Sequence, residues 1–353
     1  MYKAEKWKES EGANLRNFNE EETRKSINGA LALRGQIEKI VDQIWADGFD
    51  SIFFMGIGGT WASALQVEVY MRGKSALPVY VDNAAEFLTT GNKKFTKNSV
   101  LIYSSVSGNT KEMVELVDKV KAMGARVFAF IDTPGSILTA DDKQDYLVIY
   151  KMNEQLKFYM VANYLMYKNN EFPEYERYNK EMEENLAEAL INVEKEADEW
   201  AYEHAKKRVE FFRAHPDYPH YFIGCGNQYG ATYSYGMCYW EEQMWVRTKS
   251  ISAPEFFHGM QEIIVADTPV TLFIGEDEQR PLAERVARFL PKVCANYVII
   301  DTKEFKLKGI SEEFRGSISH HVMRAVNARV DAYMELFLRH PLTIRRYYRQ
   351  FDY

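Results

Sequence analysis

Seven consecutive residues, Ser104 to Thr110, read SSVSGNT: four hydroxyls, one glycine and one asparagine. An apolar run precedes them and a helical pattern, KEMVELVDKVKAMG, follows. A strand that runs through such a turn into a helix points free N–H groups and the positive end of the helix dipole at the turn, which attracts an anion. A plain turn with one N-capping hydroxyl needs only one of these side chains. The surplus predicts a phosphate cradle made of Ser105, Ser107, Asn109 and Thr110, with Gly108 letting the backbone come close. GIGGTW, Gly56 to Trp61, ends the preceding strand and brings Thr60 to the same edge. It is neither dinucleotide fingerprint nor P-loop: Trp61 stands at the third glycine position and no GK[ST] follows. A sugar phosphate fits better than a nucleotide.

The second polar cluster is YWEEQMWVRTKSISAPEFFHG, Tyr239 to Gly259. Glu242 and His258 stand sixteen residues apart in it. A carboxylate can carry a proton between neighbouring carbons, and a histidine near neutrality can open a sugar ring and serve its oxygens. Taken singly, each has a plainer explanation. Glu242 beside Glu241 reads as a solvated helix residue, and His258 as a core histidine. Glu255, three residues before His258, either orients it or binds substrate.

Alternating strands and helices must carry these groups. A helix is expected over 20–47, a strand at SIFFMG (51–56), a helix over 61–73, then strands in LPVYVDNAAEF, SVLIYSS, RVFAFID and DYLVIY. This order predicts a parallel sheet covered on both faces. A polar helical zone over about 155–214 reads as a connector. YFIGCGNQYGATYSYGMCYWEEQ then restarts the pattern, Gly224 and Gly226 matching Gly56 and Gly58 at an offset of 168. The expected division is 1–154, 155–214 and 215–353. After TPVTLFIG the second repeat has EDEQR in place of serines, so one phosphate site per chain is expected.

Bulk properties narrow the partners. With 353 residues, 46% hydrophobic and 27% charged, the chain reads as a globular protein of two lobes. A net charge of −7 argues against nucleic acid, and no apolar run reaches the ~20 residues of a membrane span. Three scattered cysteines and a polar N-terminus suggest reduced thiols and a cytoplasmic location. No metal spacing appears, and neither metal nor cofactor is expected.

GIGGTW together with SSVSGNT resembles the sugar isomerase (SIS) domain over nearly the whole chain, as two units. The resemblance implies an α/β fold of two doubly wound parallel sheets, and roles for Gly58 and Gly59 at the sugar-phosphate turn. The Glu242–His258 spacing and EFFHG are similar to the isomerase domain of glucosamine-6-phosphate synthases and to fructosamine 6-phosphate deglycases. The fructoselysine 6-phosphate branch is the best match. It implies Glu242 as carbon acid–base, His258 as oxygen proton carrier, and a homodimer or larger assembly in which His258 completes a neighbour's site. The synthases use a lysine near the C-terminus; here Arg349 stands roughly there, and arginine stays charged. That, with no initiating cysteine of a glutaminase domain, points to a deglycase. Alternatives are a glucoselysine-type deglycase releasing fructose 6-phosphate, an aldose–ketose isomerase, and a non-enzymatic sugar-phosphate sensor.

Overall fold

A computed structural model describes residues 12–348, 350 and 351; Arg349 lies outside the described residues. The expected helix over 20–47 is two helices, α1 (Glu20–Leu31) and α2 (Arg34–Asp47). Gly29 and Gly35 flank the break, and glycine is the weakest helix former after proline. The chain continues through β1 (Ile52–Gly56), α3 (Gly59–Arg72), β2 (Val79–Asn83), α4 (Ala84–Thr90), β3 (Val100–Ser105), α5 (Lys111–Ala122), β4 (Arg126–Ile131), β5 (Tyr146–Ile149) and α6 (Glu154–Lys168). The five strands pair in parallel in the order β2-β1-β3-β4-β5. Side chains alternate across this sheet. Phe53, Met55, Leu101, Tyr103, Val127 and Ala129 pack with Leu116, Val117 and Val120 of α5 on one face. Phe54 and Phe130 meet Phe158 of α6 on the other. Covering both faces is what makes β1 and β3 continuous apolar runs.

A 40-residue helix, α7 (Tyr175–Ala214), leads on to β6 (His220–Gly224), α8 (Asn227–Ser234), β7 (Thr248–Ser252), α9 (Ala253–Phe256), β8 (Val270–Ile274), α10 (Arg280–Phe289), β9 (Tyr297–Asp301) and α11 (Glu312–Leu338). A second parallel sheet has the order β7-β6-β8-β9. Its core joins Ile223, Val270, Leu272 and Ile274 to Phe256 of α9 and to Ala283 and Val286 of α10.

The chain therefore holds two separate doubly wound parallel sheets. By their contacts the two compact units are Glu22–Ala187 and Glu188–Tyr353, the latter with the N-terminal stretch ending at Glu21. The division falls inside α7 rather than at 154 and 214. α6 sits with the first sheet because EQLKFYMVANYLMYK is apolar enough to be buried along Leu156–Ala162. The N-terminal stretch joins the second unit through Asn14 N–H to the Tyr333 hydroxyl (2.9 Å) and Leu15 N–H to Asp198 (2.8 Å). β1 and β6 begin and end 168 residues apart. Gly58 and Gly226, which precede α3 and α8, share a left-handed conformation at φ 60°, ψ −127° and φ 57°, ψ −137°.

Candidate active site

In a doubly wound sheet the crevice lies past the carboxyl ends of the two strands where the order reverses. In the first sheet these are β1 and β3. The turn after β1 is closed by Thr60, whose hydroxyl donates to Ile57 O (3.1 Å) and accepts from Ile57 N–H (3.2 Å). Past β3 the residues Val106–Asn109 form the loop, and Thr110, extended at φ −64°, ψ 124°, opens α5 without spending its side chain on the cap. Ser105 Oγ accepts from Gly108 N–H (3.1 Å), and Ser107 Oγ accepts from Asn109 N–H (3.2 Å). Ser107 and Thr110 hydroxyl oxygens are 3.4 Å apart. Asn109 Oδ1 accepts from Ile137 N–H (2.9 Å), pinning the loop from outside. Gly108 has φ +63°, and a Cβ there would meet Ser136 Oγ, so both conformation and space require glycine.

A buried polar cluster backs the loop. Asp132 N–H donates to Ser105 O (3.1 Å), and the Asp132 carboxylate pairs with the fully buried Lys157 ammonium (3.1 Å). Lys157 also donates to Tyr150 O (2.9 Å). Glu154 accepts from Ser63 Oγ (2.5 Å); burial raises its carboxyl, while the Ser63 bond and the Lys157 charge pull the other way. Nothing in the spacing of Ser63, Asp132, Glu154 and Lys157 marks them as a group, because they come from α3, the end of β4 and α6.

The equivalent turn of the second sheet is filled from within. Asp277 follows β8, and its carboxylate accepts from Asn227 N–H (2.8 Å), the first residue of α8, and from Gln279 N–H (2.8 Å). Gln279 Oε1 accepts from Gly226 N–H (3.0 Å). In the first unit the hydroxyl loop stands at the start of α5; in the second, a carboxylate from the corresponding loop accepts from the first amide of α8, the helix equivalent to α3. EDEQR replaces the serines with an internal anion.

Glu242 stands at the end of an irregular helix. α8 passes at Tyr235 into a π-helix, Tyr235–Glu241, which Glu242 caps. The widened turn is visible in Glu242 N–H to Met237 O (3.0 Å) and Met244 N–H to Tyr239 O (3.1 Å), both five residues back. α11 holds this segment from beneath. Tyr235 donates to Asp331 (2.8 Å), and the Arg324 guanidinium lies 4.5 Å from the centre of the Tyr239 ring. Glu242 is partly buried and its Oε1 accepts from Arg345 Nε (2.6 Å). Glu241 is exposed and its Oε1 accepts from the Thr248 hydroxyl (2.7 Å).

His258 is exposed just past α9, its N–H donating to Glu255 O (3.0 Å); Glu255 is exposed as well. Thr248, the first residue of β7, pairs with His220 at the start of β6, and Ser252, its last, with Gly224. Glu242 precedes the first end of this strand and His258 follows the second. Five residues at the usual rise put about 16 Å of strand between those ends. Sequence reasoning missed β7 itself, the π-helix and Arg345.

Among the described residues no three His, Cys, Asp or Glu side chains are grouped to hold a metal ion, and no helix is long and apolar enough to cross a membrane.

Residues 49–167 match the SIS domain. Over 328 residues the chain is 26% identical to the fructosamine deglycase FrlB of Bacillus subtilis (strain 168), covering 90% of this chain and 97% of that protein. Over 318 residues it is 23% identical to the fructoselysine 6-phosphate deglycase of Escherichia coli (strain K12), covering 88% and 89%. Among solved structures, a suspected phosphosugar isomerase from Salmonella typhimurium LT2 superposes with a TM-score of 0.83 at 22% identity, covering 91% of this chain and 97% of that one. The C-terminal domain of glucosamine-fructose-6-phosphate aminotransferase from Francisella tularensis does so with a TM-score of 0.71 at 12% identity, covering 89% and 94%. These structures share the fold.

Proposed function

We propose that this chain, which carries a SIS domain over residues 49–167, is a deglycase that cleaves a fructosamine 6-phosphate to glucose 6-phosphate and a free amine. The observation that carries this reading is the asymmetry of the two sheets. One switch-point turn is lined with hydroxyls over a helix N-terminus, and its counterpart is filled by Asp277. This asymmetry supports one phosphate group per chain. The relatives named as deglycases of fructosamine and of fructoselysine 6-phosphate support the substrate class.

In the reaction Ser105, Ser107, Asn109 and Thr110 anchor the 6-phosphate. His258 opens the ring and protonates O2 while Glu242 takes a proton from C1, giving the enaminol. Glu242 returns the proton to C2, and the imine that results at C1 adds water and releases the amine. One carboxylate can serve both carbons because they are adjacent. As in the family that the sequence resembles, the His258 that serves a substrate comes from a neighbouring chain, while Glu242 comes from the chain's own second unit. A homodimer or larger assembly with shared sites is part of the proposal.

The test is a panel of fructosamine and glucosamine-type 6-phosphates, with mass spectrometry of the sugar product. Glucose 6-phosphate with an equimolar amine is the expected outcome. Glu242→Gln should lose about 10²–10⁴-fold in kcat while still binding substrate, and Glu241→Gln should be nearly silent. Substrate binding without turnover anywhere in the panel would make the chain a sensor instead.

A further inference from the structure

We propose that Arg345 is the positioning residue for Glu242, delivered by the segment that follows α11. The inference rests on reading Glu242 as the carbon acid–base. Arg345 Nε donates to Glu242 Oε1 at 2.6 Å, while its Nη1 donates to Leu342 O (2.7 Å) and Ile344 O (3.0 Å). The guanidinium is therefore fixed at its own end by two carbonyls of the tail. A planar fork held this way sets the plane of the carboxylate it meets, which a flexible ammonium would not do. Oε1 is occupied, and Oε2 has no hydrogen-bond partner among the described residues. One oxygen is held and the other is left for a proton.

The same tail grips the loop behind Glu242. Trp245 sits in that loop with φ +59°, an unfavourable conformation for a bulky side chain that the surroundings must sustain. Its ring lies 4.2 Å from that of His340, and the Arg346 guanidinium lies 4.3 Å from its centre. His340 and Arg346 flank the tail segment that bears Arg345. The left-handed residue Arg339 (φ +55°) ends α11 and turns the chain into this segment. Contacts at Glu242 and at Trp245 thus act together on a π-helical terminus whose wide turn does not fix Glu242 by backbone geometry alone. Without the tail, the carboxylate that must serve two neighbouring carbons would sample several rotamers.

Arg345→Ala and Arg345→Lys separate this role from others. Arg345→Ala is expected to lower kcat about 10–100-fold while KM stays within about threefold, the usual scale for losing a group that orients a reacting one. Arg345→Lys should recover part of that loss, because it restores one charged donor without the fork. Unchanged kcat in Arg345→Ala, or a rise in KM alone, would overturn the proposal; the second result would mean that Arg345 contacts substrate. If Arg345→Ala fails to fold, Arg345→Lys carries the test, and wild-type kcat there with raised KM counts against it. Should the wild-type protein turn over no substrate, the functional reading fails by itself. Crystal structures of wild type and Arg345→Ala then decide the positioning role: a displaced Glu242 carboxylate supports it, and an unmoved one overturns it.

Discussion

Four hydroxyls in SSVSGNT divide their work in a way that depends on which amide each one faces. Ser105 shapes the loop by accepting from Gly108 N–H, and Thr60 closes the neighbouring turn through Ile57. Ser107 and Thr110 stand together over the first turn of α5, where a hydroxyl can still donate to an anion. Ser107→Ala should therefore act on substrate binding. A lost bond to a charged group is worth about 1.5–3 kcal/mol, so KM for a sugar phosphate should rise about 10–100-fold with kcat nearly unchanged. Ser105→Ala should in addition lower the melting temperature, because a buried amide loses its acceptor. If Ser107→Ala leaves KM where it was, the loop is a turn and no cradle. The residue types were legible in the sequence, because a single capping hydroxyl would suffice for a plain turn and this strand end carries four. The division among them was not, because it is set by φ and ψ at Gly108 and by the Asn109 bond to Ile137 across the loop.

At the scale of elements the repeat itself was legible in the offset of Gly56 and Gly58 from Gly224 and Gly226, and the left-handed φ shared by Gly58 and Gly226 adds to it. Strand β7 was not: TKSIS is short and mostly polar, as suits a half-buried edge strand. The π-helix was also hidden. One extra residue per turn leaves no mark on YGMCYWE, and the conformation leans on α11 through Tyr235–Asp331. Asp277 shows how one element can be converted while keeping its shape. Its carboxylate accepts from the first amide of α8, where the helix dipole favours a negative charge. Asp277→Ala should reopen that position. The variant should lose stability on the order of 1.5–3 kcal/mol, and millimolar inorganic phosphate should raise its melting temperature more than it raises that of the wild type. Equal phosphate shifts in both proteins would mean that the turn, once emptied, does not hold an anion.

All seven histidines of the chain fall within Glu188–Tyr353, and none lies in Glu22–Ala187. Four of them, His204, His220, His320 and His321, are buried, and burial holds each imidazole well below its usual range, to about 3 for His204 and His321. A folded-state value below the unfolded one stabilises the fold above pH 6.5, and that stability is lost as pH falls, because only the unfolded chain then takes up the proton. At pH 5.5, one unit below the ordinary imidazole value, each such group has given up about 1 kcal/mol, and the four together several. Asp331 works in the opposite sense. Burial raises its carboxyl to about 6, against the pull of Arg324, the Tyr235 hydroxyl and Arg329. Its folded value lies above the unfolded one, so acid relieves it, by about 1 kcal/mol between pH 7 and 5.5. The histidines win, by an amount comparable with the whole stability of an ordinary domain. The unit with the four-stranded sheet should therefore open first as pH falls from about 6.5 to 5, while the unit with the five-stranded sheet persists. Hydrogen exchange followed by mass spectrometry, corrected for the intrinsic pH dependence of exchange, reads the two units separately. Early loss of protection in β6, β8 and α11 with β1, β3 and β4 still protected is the expected result. Simultaneous loss in both units, or earlier loss in residues 22–187, would show that the buried histidines do not set the acid limit of this fold.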